Sequence, residues 1–202
     1  MSFGVIAAAL AVGLCGVGAG IGEALIAIST MKGLLRNPEL QSKLMVCMIL
    51  FIALTESMAI YGLVIALQIT GAFDTSVVTE YLTDPKVAAM PSIVEMINEA
   101  AMNIQDIATS NPMVFMAAAL AVGLPGITVA IADGFLGRIS IENISKNGEL
   151  HSKFLVMTIL AMALLESAAI YGFVISLQVL GPVTDQIDGV AQVVIDAVSK
   201  IR

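Results

Sequence analysis

Four carboxyl side chains lie inside long apolar stretches of this sequence: Glu23, Glu56, Asp133 and Glu166. Glu56 has twelve uncharged residues before it and seventeen after it, and Glu166 has twelve and eighteen. A charge at the centre of a membrane-spanning helix costs ~2.5–3.5 kcal/mol on insertion scales, so an ionisable residue there marks a functional position by default. The spacing pairs the four. Glu23 and Glu56 are equidistant from Glu39-Leu40, and Asp133 and Glu166 from Glu149-Leu150. In an antiparallel helical hairpin, residues equidistant from the turn share one depth, here roughly 25 Å from the loop at ~1.5 Å per residue. Two carboxylates at one level in a low dielectric cannot both be ionised cheaply, so each pair must share a proton or bind a cation. No Lys or Arg lies at that depth. Hydroxyls accompany the second acid of each pair: Ser57 and Tyr61 near Glu56, Ser167 and Tyr171 near Glu166. Carboxylate, hydroxyl and carbonyl oxygens suit a hard monovalent cation, and no His or Cys cluster points to a transition metal. The single histidine, His151, reads as a solvated residue of the loop region.

The elements that hold these acids come in duplicate. Residues 7–14 recur unchanged at 117–124, a shift of 110. The same ungapped shift carries Glu56, Ser57 and residues 59–62 onto Glu166, Ser167 and residues 169–172, and Leu67-Gln68 onto Leu177-Gln178. The chain is a tandem duplication of a unit of about seventy residues, joined by a spacer. Each unit holds two apolar stretches, about 5–31 and 44–72 in the first and about 113–141 and 154–183 in the second, and each exceeds the ~20 residues of a membrane span. Nothing alternates like a barrel strand, and lipid excludes other spanning structures. The expectation is an all-α integral membrane protein of four transmembrane helices in two parallel hairpins. The first hairpin covers 1–72, an extracytoplasmic spacer 73–112, the second hairpin 113–183, and an amphipathic tail 184–202.

Composition agrees. The 202 residues are 58% hydrophobic and 12% charged, against ~45–50% and ~25% in soluble chains. This composition argues against a soluble enzyme domain, a disordered chain and a collagen-like fibre. The first basic residue is Lys32, so no cleaved signal peptide is expected. Cys15 and Cys47 lie in apolar runs and read as packed hydrophobes. The net charge of −7 is a matter of position. Lys32, Arg36 and Lys43 surround the first hairpin loop, and Arg138, Lys146 and Lys153 the second, whereas residues 73–112 hold six acids and one Lys. The positive-inside bias places both loops in the cytoplasm, and the termini and spacer outside. Within the spacer, Ile93, Met96, Ile97, Ala100, Ala101, Ile104 and Ile107 recur at helical spacing, as an interfacial helix on the outer surface would require. The first helix carries the pairs Gly16/Gly20 and Gly18/Gly22, which let membrane helices approach closely. Their equivalents in the second unit stay small, while Pro125 replaces Cys15 and is expected to kink that helix.

Together these features resemble the c-type proteolipid of F-type rotary ATP synthases, in a tandem-duplicated two-hairpin form. The matching pieces are the glycine-rich first helix, the loop Arg36-Asn37-Pro38-Glu39 (the family has Arg-Gln-Pro-Glu) and the carboxylate in mid-second helix. Glu56-Ser57 and Tyr61 look like the sodium-binding version of the motif. That version has a Gln thirteen residues before the loop Arg. Here that position is Glu23, and thirteen residues before Lys146 it is Asp133. The resemblance implies a homo-oligomeric ring in the bacterial inner membrane, surrounded by lipid. Glu56 and Glu166 would exchange Na+ or H+ with the half-channels of a stator a subunit. Glu23 and Asp133 would be second ligands or proton partners, Ser57, Ser167, Tyr61 and Tyr171 would coordinate or latch, and the carbonyls of Leu54 and Leu164 would be ligands. The loops Arg36, Asn37, Pro38, Glu39 and Lys146, Asn147, Gly148, Glu149 would meet the central stalk. No catalytic residue, covalent cofactor or nucleic-acid partner is implied. Met58 and Ala168 stand where sodium rings often have Thr, which leaves the proton a full competitor. Duplication within one chain is more typical of V-type proteolipids, an alternative reading, although here both carboxylates are kept. A small duplicated cation-coupled exporter is a further alternative, but such a transporter would ring its substrate with aromatics, and this chain has no Trp and three Tyr.

Overall fold

The computed structural model describes residues 3–201, and among them there is no strand. Seven α-helices follow in order: α1 (Phe3–Arg36), α2 (Gln41–Gly71), α3 (Ser76–Thr79), α4 (Pro85–Ala88), α5 (Pro91–Ser110), α6 (Pro112–Lys146) and α7 (His151–Ser199). α1, α2, α6 and α7 contain the segments long and apolar enough to cross a membrane. In lipid every backbone N–H and C=O must find a partner inside its own segment, and an uninterrupted helix does this. The breaks fall where the sequence denies the helix. Asn37 precedes Pro38, which disfavours the helical conformation at Asn37. In the second unit Asn147 Oδ1 accepts the Glu149 N–H at 3.1 Å, a turn that competes with the helix. Each break is followed by one 3₁₀ turn, Pro38–Leu40 and Gly148–Leu150.

α1 and α6 lie side by side along their length, in parallel and in register. α2 packs on α1 and also reaches α6, and α7 packs on α6, while α2 and α7 touch each other less. The chain is thus a wedge, with α1 and α6 at its closely packed inner edge. The seam is made of small residues: Ala7, Ala8, Ala11, Cys15, Gly18, Ala19 and Gly22 are all buried on α1. A Cβ on Gly18 would stand 2.6 Å from Ile127 Cα, and a Cβ on Gly22 would run into the carbonyl oxygen of Ala130. Only glycine permits that approach. The outward faces carry large exposed apolar side chains such as Ile49, Val156, Met157 and Leu160, as a lipid-facing surface does. α6 runs through Pro125 as one helix, so the proline does not break it.

Outside the spans the structure differs from the expected plan. The tail is not a separate element: α7 is 49 residues long and continues through Gly181 and Pro182 to Ser199. At ~1.5 Å per residue such a helix is about 70 Å long, more than twice the ~30 Å hydrocarbon core. Its last turns therefore stand clear of the bilayer. α5 is the helix expected in the spacer, but its apolar stripe is not left free for a lipid surface. Ile97, Ala100 and Ile104 are buried in one cluster with Ile187, Ala191, Val194 and Val198 of α7. Below them Phe73 and Phe115 meet at 5.3 Å. The spacer and the end of α7 thus form a small helical cap at the end of the wedge opposite the hairpin loops.

Candidate ion-binding site

The packing of small residues sets the level of the four acids. A Cβ on Gly22 would also touch Thr55 Cγ2 at 2.8 Å, so the neighbours Glu23 and Glu56 share a depth within the first hairpin. Gly134 abuts Gly22 across the α1–α6 seam, which brings Asp133 level with Glu23. All four carboxyls therefore occupy one layer. Glu23 lies within electrostatic reach of Glu56, and Asp133 of Glu166.

The hydroxyls do not serve the acids beside them in sequence. Ser57 Oγ donates to the Leu54 carbonyl at 2.7 Å and lies 3.3 Å from Glu166 Oε1, on the other hairpin. A hydroxyl has one proton. With that proton on Leu54 O, the Glu166–Ser57 contact is satisfied by a proton on Glu166 or by a cation among the oxygens. Asp133 closes the site from α6. It is completely buried, and neither of its carboxyl oxygens has a hydrogen-bond partner. A buried carboxylate left bare is costly, so this pair calls for a proton or a cation. Tyr61 follows the same rule as Ser57: its ring stacks on Phe173 of the second hairpin, with centroids 5.1 Å apart.

One group of candidate residues is thus assembled inside the chain: Leu54, Ser57 and Tyr61 from the first half, with Asp133 and Glu166 from the second. The remaining candidates fall into two groups on opposite flanks. Glu56 is exposed and Glu23 half-buried on one flank of the wedge. On the other flank Leu164 and Tyr171 are 68% and 69% exposed. There Ser167 Oγ donates only to the Leu164 carbonyl, at 2.7 Å. Pairing across the halves was missed by reading each hairpin alone. The signal was present: adjacent residues on a helix do not face the same neighbour, so Glu56 and Ser57 could not serve one site.

The loop residues gather at the opposite end from the cap. Arg36, Pro38, Glu39, Lys146, Asn147 and Glu149 are exposed or partly so, and the two loops lie side by side. Lys43 Nζ ties them by donating to the Gly148 carbonyl at 3.1 Å. His151 departs from the expectation of a solvated residue. It opens α7 half-buried, and its Nε2 is buried without a hydrogen-bond partner. Cys15 and Cys47 are buried and free, as expected of packed hydrophobes.

A family profile described as the C subunit of ATP synthase matches the chain twice, over residues 6–69 and 116–179. Curated relatives named as the c subunit of ATP synthase come from Bacillus thuringiensis (strain Al Hakam), Bacillus cereus (strain B4264) and Bacillus anthracis (strain CDC 684 / NRRL 3495). Each is 52% identical over 66 residues, which is 33% of this chain and 92% of the relative. One hairpin of this chain is thus similar to nearly the whole of such a relative.

Proposed function

We infer the function from one premise: the chain belongs to the family of ATP synthase C subunits and carries two copies of its hairpin. It is a rotor-ring subunit of an F-type ATP synthase, and moves ions across the membrane in step with rotation. The mechanism we propose rests on the contact of Ser57 with Glu166.

That contact is head-to-tail, because like halves meet through unlike faces. A heterologous contact can repeat from copy to copy, and it gives a ring where its rotation closes. The surfaces needed for repetition are free at both flanks. Gly13, Gly16 and Gly20 on α1 have no neighbour in the chain, and Thr128 on α6 lies at the surface with its hydroxyl bonded only within its own helix. Adding the next copy by the same contact brings Ser167 and the Leu164 carbonyl of one chain to Glu56 and Glu23 of the next. Lys153 would likewise reach the loop at Pro38 of the next copy, as Lys43 reaches Gly148 within the chain. Every hairpin then has a complete site, and each chain brings two exchanging carboxyls, Glu56 and Glu166.

A pair of carboxylates with one monovalent cation would leave a net negative charge in hydrocarbon. A proton retained by the pair neutralises it, so one exchangeable cation, Na+ or H+, moves per site. The site loads from one half-channel of a stator a subunit and travels past lipid with its charge cancelled. It unloads where a stator Arg displaces the cation. The exposed loops 36–39 and 146–149 bear on the central stalk, on the cytoplasmic side that the positive-inside bias assigns to them.

Native mass spectrometry of the detergent-solubilised protein tests the assembly. A closed ring gives a mass that is a whole multiple, well above two, of the 21.0 kDa chain; a monomer or dimer refutes the rotor reading. Carbodiimide labelling of Glu56 and Glu166 then identifies the ion. Protection by added sodium at fixed pH assigns Na+, and labelling that follows pH alone assigns H+.

A further inference from the structure

In such a ring two kinds of seam alternate: one inside each chain, one between copies. They are built from homologous but unlike residues. At the internal seam Tyr61 stacks on Phe173, and Met58 is wholly buried against Val129, Ala130 and Ala169. The acid beside Glu166 is Asp133, and it is completely buried. The shift of 110 residues gives the residues of the other seam. Tyr171 meets Leu63 instead of a phenylalanine, and Ala168 replaces Met58. Gly20 replaces Ala130, and Glu23 replaces Asp133. Each substitution but the last removes side-chain bulk next to the ion. The last gives the second carboxyl one more methylene and one more rotatable bond.

Resting on the ring reading above, we propose that the rotor carries two unlike classes of ion site in strict alternation. The internal site around Glu166 is closed and slow to exchange. The site around Glu56, completed only by the next copy, is open and faster to exchange. Phe173 and Met58 set the difference. Phe173 pins the Tyr61 ring over the site, and Met58 fills the space through which water would otherwise reach the carboxyl. Successive steps of the rotor are then not equivalent, and each chain advances as a slow–fast pair.

The test is a carbodiimide time course on the intact ring, with the Glu56 and Glu166 peptides quantified separately by mass spectrometry. Glu56 is expected to label about two- to tenfold faster, the range an aromatic stacking pair contributes. Phe173→Leu places at the internal seam the residue that the other seam already has, and should bring Glu166 towards the Glu56 rate. Leu63→Phe should slow Glu56. Equal rates in the wild-type ring, a faster Glu166, or a ratio unmoved by both substitutions overturns the proposal and leaves the ring reading intact. An assembled ring in which neither acid labels overturns the assignment of Glu56 and Glu166 as the exchanging groups, and the proposal with it.

Discussion

Gly18→Ala adds one methyl at the seam between α1 and α6, and its effect follows from the backbone. The new Cβ would stand 2.6 Å from Ile127 Cα and 2.9 Å from Ile127 O, where ordinary contact begins at 3.4 Å. Neither obstacle is a side-chain end that can rotate away. The helices must part by the shortfall, 3.4 − 2.6 = 0.8 Å. Overpacking of this kind costs ~1–3 kcal/mol, set against a gain of up to ~1 kcal/mol from replacing a helical glycine by alanine. Because both obstacles are backbone, the cost falls in the upper part of that range, ~2–3 kcal/mol, and the net is a destabilisation of about 1–2 kcal/mol. Gly18 is five residues before Glu23, roughly 7–8 Å along the helix, so the separation reaches the carboxyl layer. Ser57 and Glu166 already stand at 3.3 Å, and any added separation weakens that bond steeply.

The assay has two parts, thermal dissociation of the purified ring and the rate of carbodiimide labelling at Glu166. Gly18→Ala should lower the dissociation temperature and raise the labelling rate together. Gly181→Ala is the control, because a Cβ there meets nothing within 4 Å; it should neither lower the dissociation temperature nor raise the labelling rate. If Gly18→Ala leaves both unchanged, α1 and α6 are not in backbone contact, and the placement of Glu23 and Asp133 in one layer fails with them.

Ser57→Ala should raise labelling of Glu166 about two- to tenfold and leave Glu56 alone, and Ser167→Ala should do the reverse, since a hydrogen bond to a neutral carboxyl is worth ~0.5–1.5 kcal/mol; mass-spectrometric quantitation of both peptides checks this, and a response at the sequence-adjacent acid refutes pairing across the halves. Ser176→Ala removes a buried hydroxyl that lies 2.7 Å from Ala118 O and 2.8 Å from Gly172 O, and should cost about 1 kcal/mol in ring stability by thermal dissociation. Truncation after Val183 uncovers Ile97, Ala100 and Ile104 on α5. Limited proteolysis should then cut between 91 and 110, whereas continued protection would mean that the lipid surface covers α5.

The hairpins were legible because their signals are local. Apolar length, turn residues at Asn37-Pro38 and Asn147-Gly148, and a fixed repeat each need only neighbouring residues. The depth of the four acids was legible for the same reason, since counting from a turn fixes level. Two things were not. The course of α7 beyond Gly181-Pro182 was hidden because that dipeptide reads as a stop. It is overridden by a stripe, Val183, Ile187, Ala191, Val194 and Val198, that packs on α5 far away in sequence. The partner of Ser57 was hidden because it depends on which face of one hairpin meets which face of the other. Hydropathy is nearly uniform around these helices and does not distinguish the faces.

That second point bears on what duplication does. With single hairpins every seam in a ring is the same, and a residue that tightens one site tightens all. Fusion fixes the order of the halves. Leu54, Ser57 and Tyr61 face Asp133, Glu166 and Phe173 of the same chain, and in the proposed ring the residues at the other seam come from different copies. A substitution such as Leu63 against Phe173, or Glu23 against Asp133, can then act on every second site alone. The sequence differences between the halves are few near Glu56 and Glu166, and several of them fall at the seams: Met58 and Ala168, Leu63 and Phe173, Glu23 and Asp133. A lipid-facing position could drift without touching the ion. A seam position cannot, because in the proposed ring its side chain lies within the site whose two carboxyls would hold and release one cation.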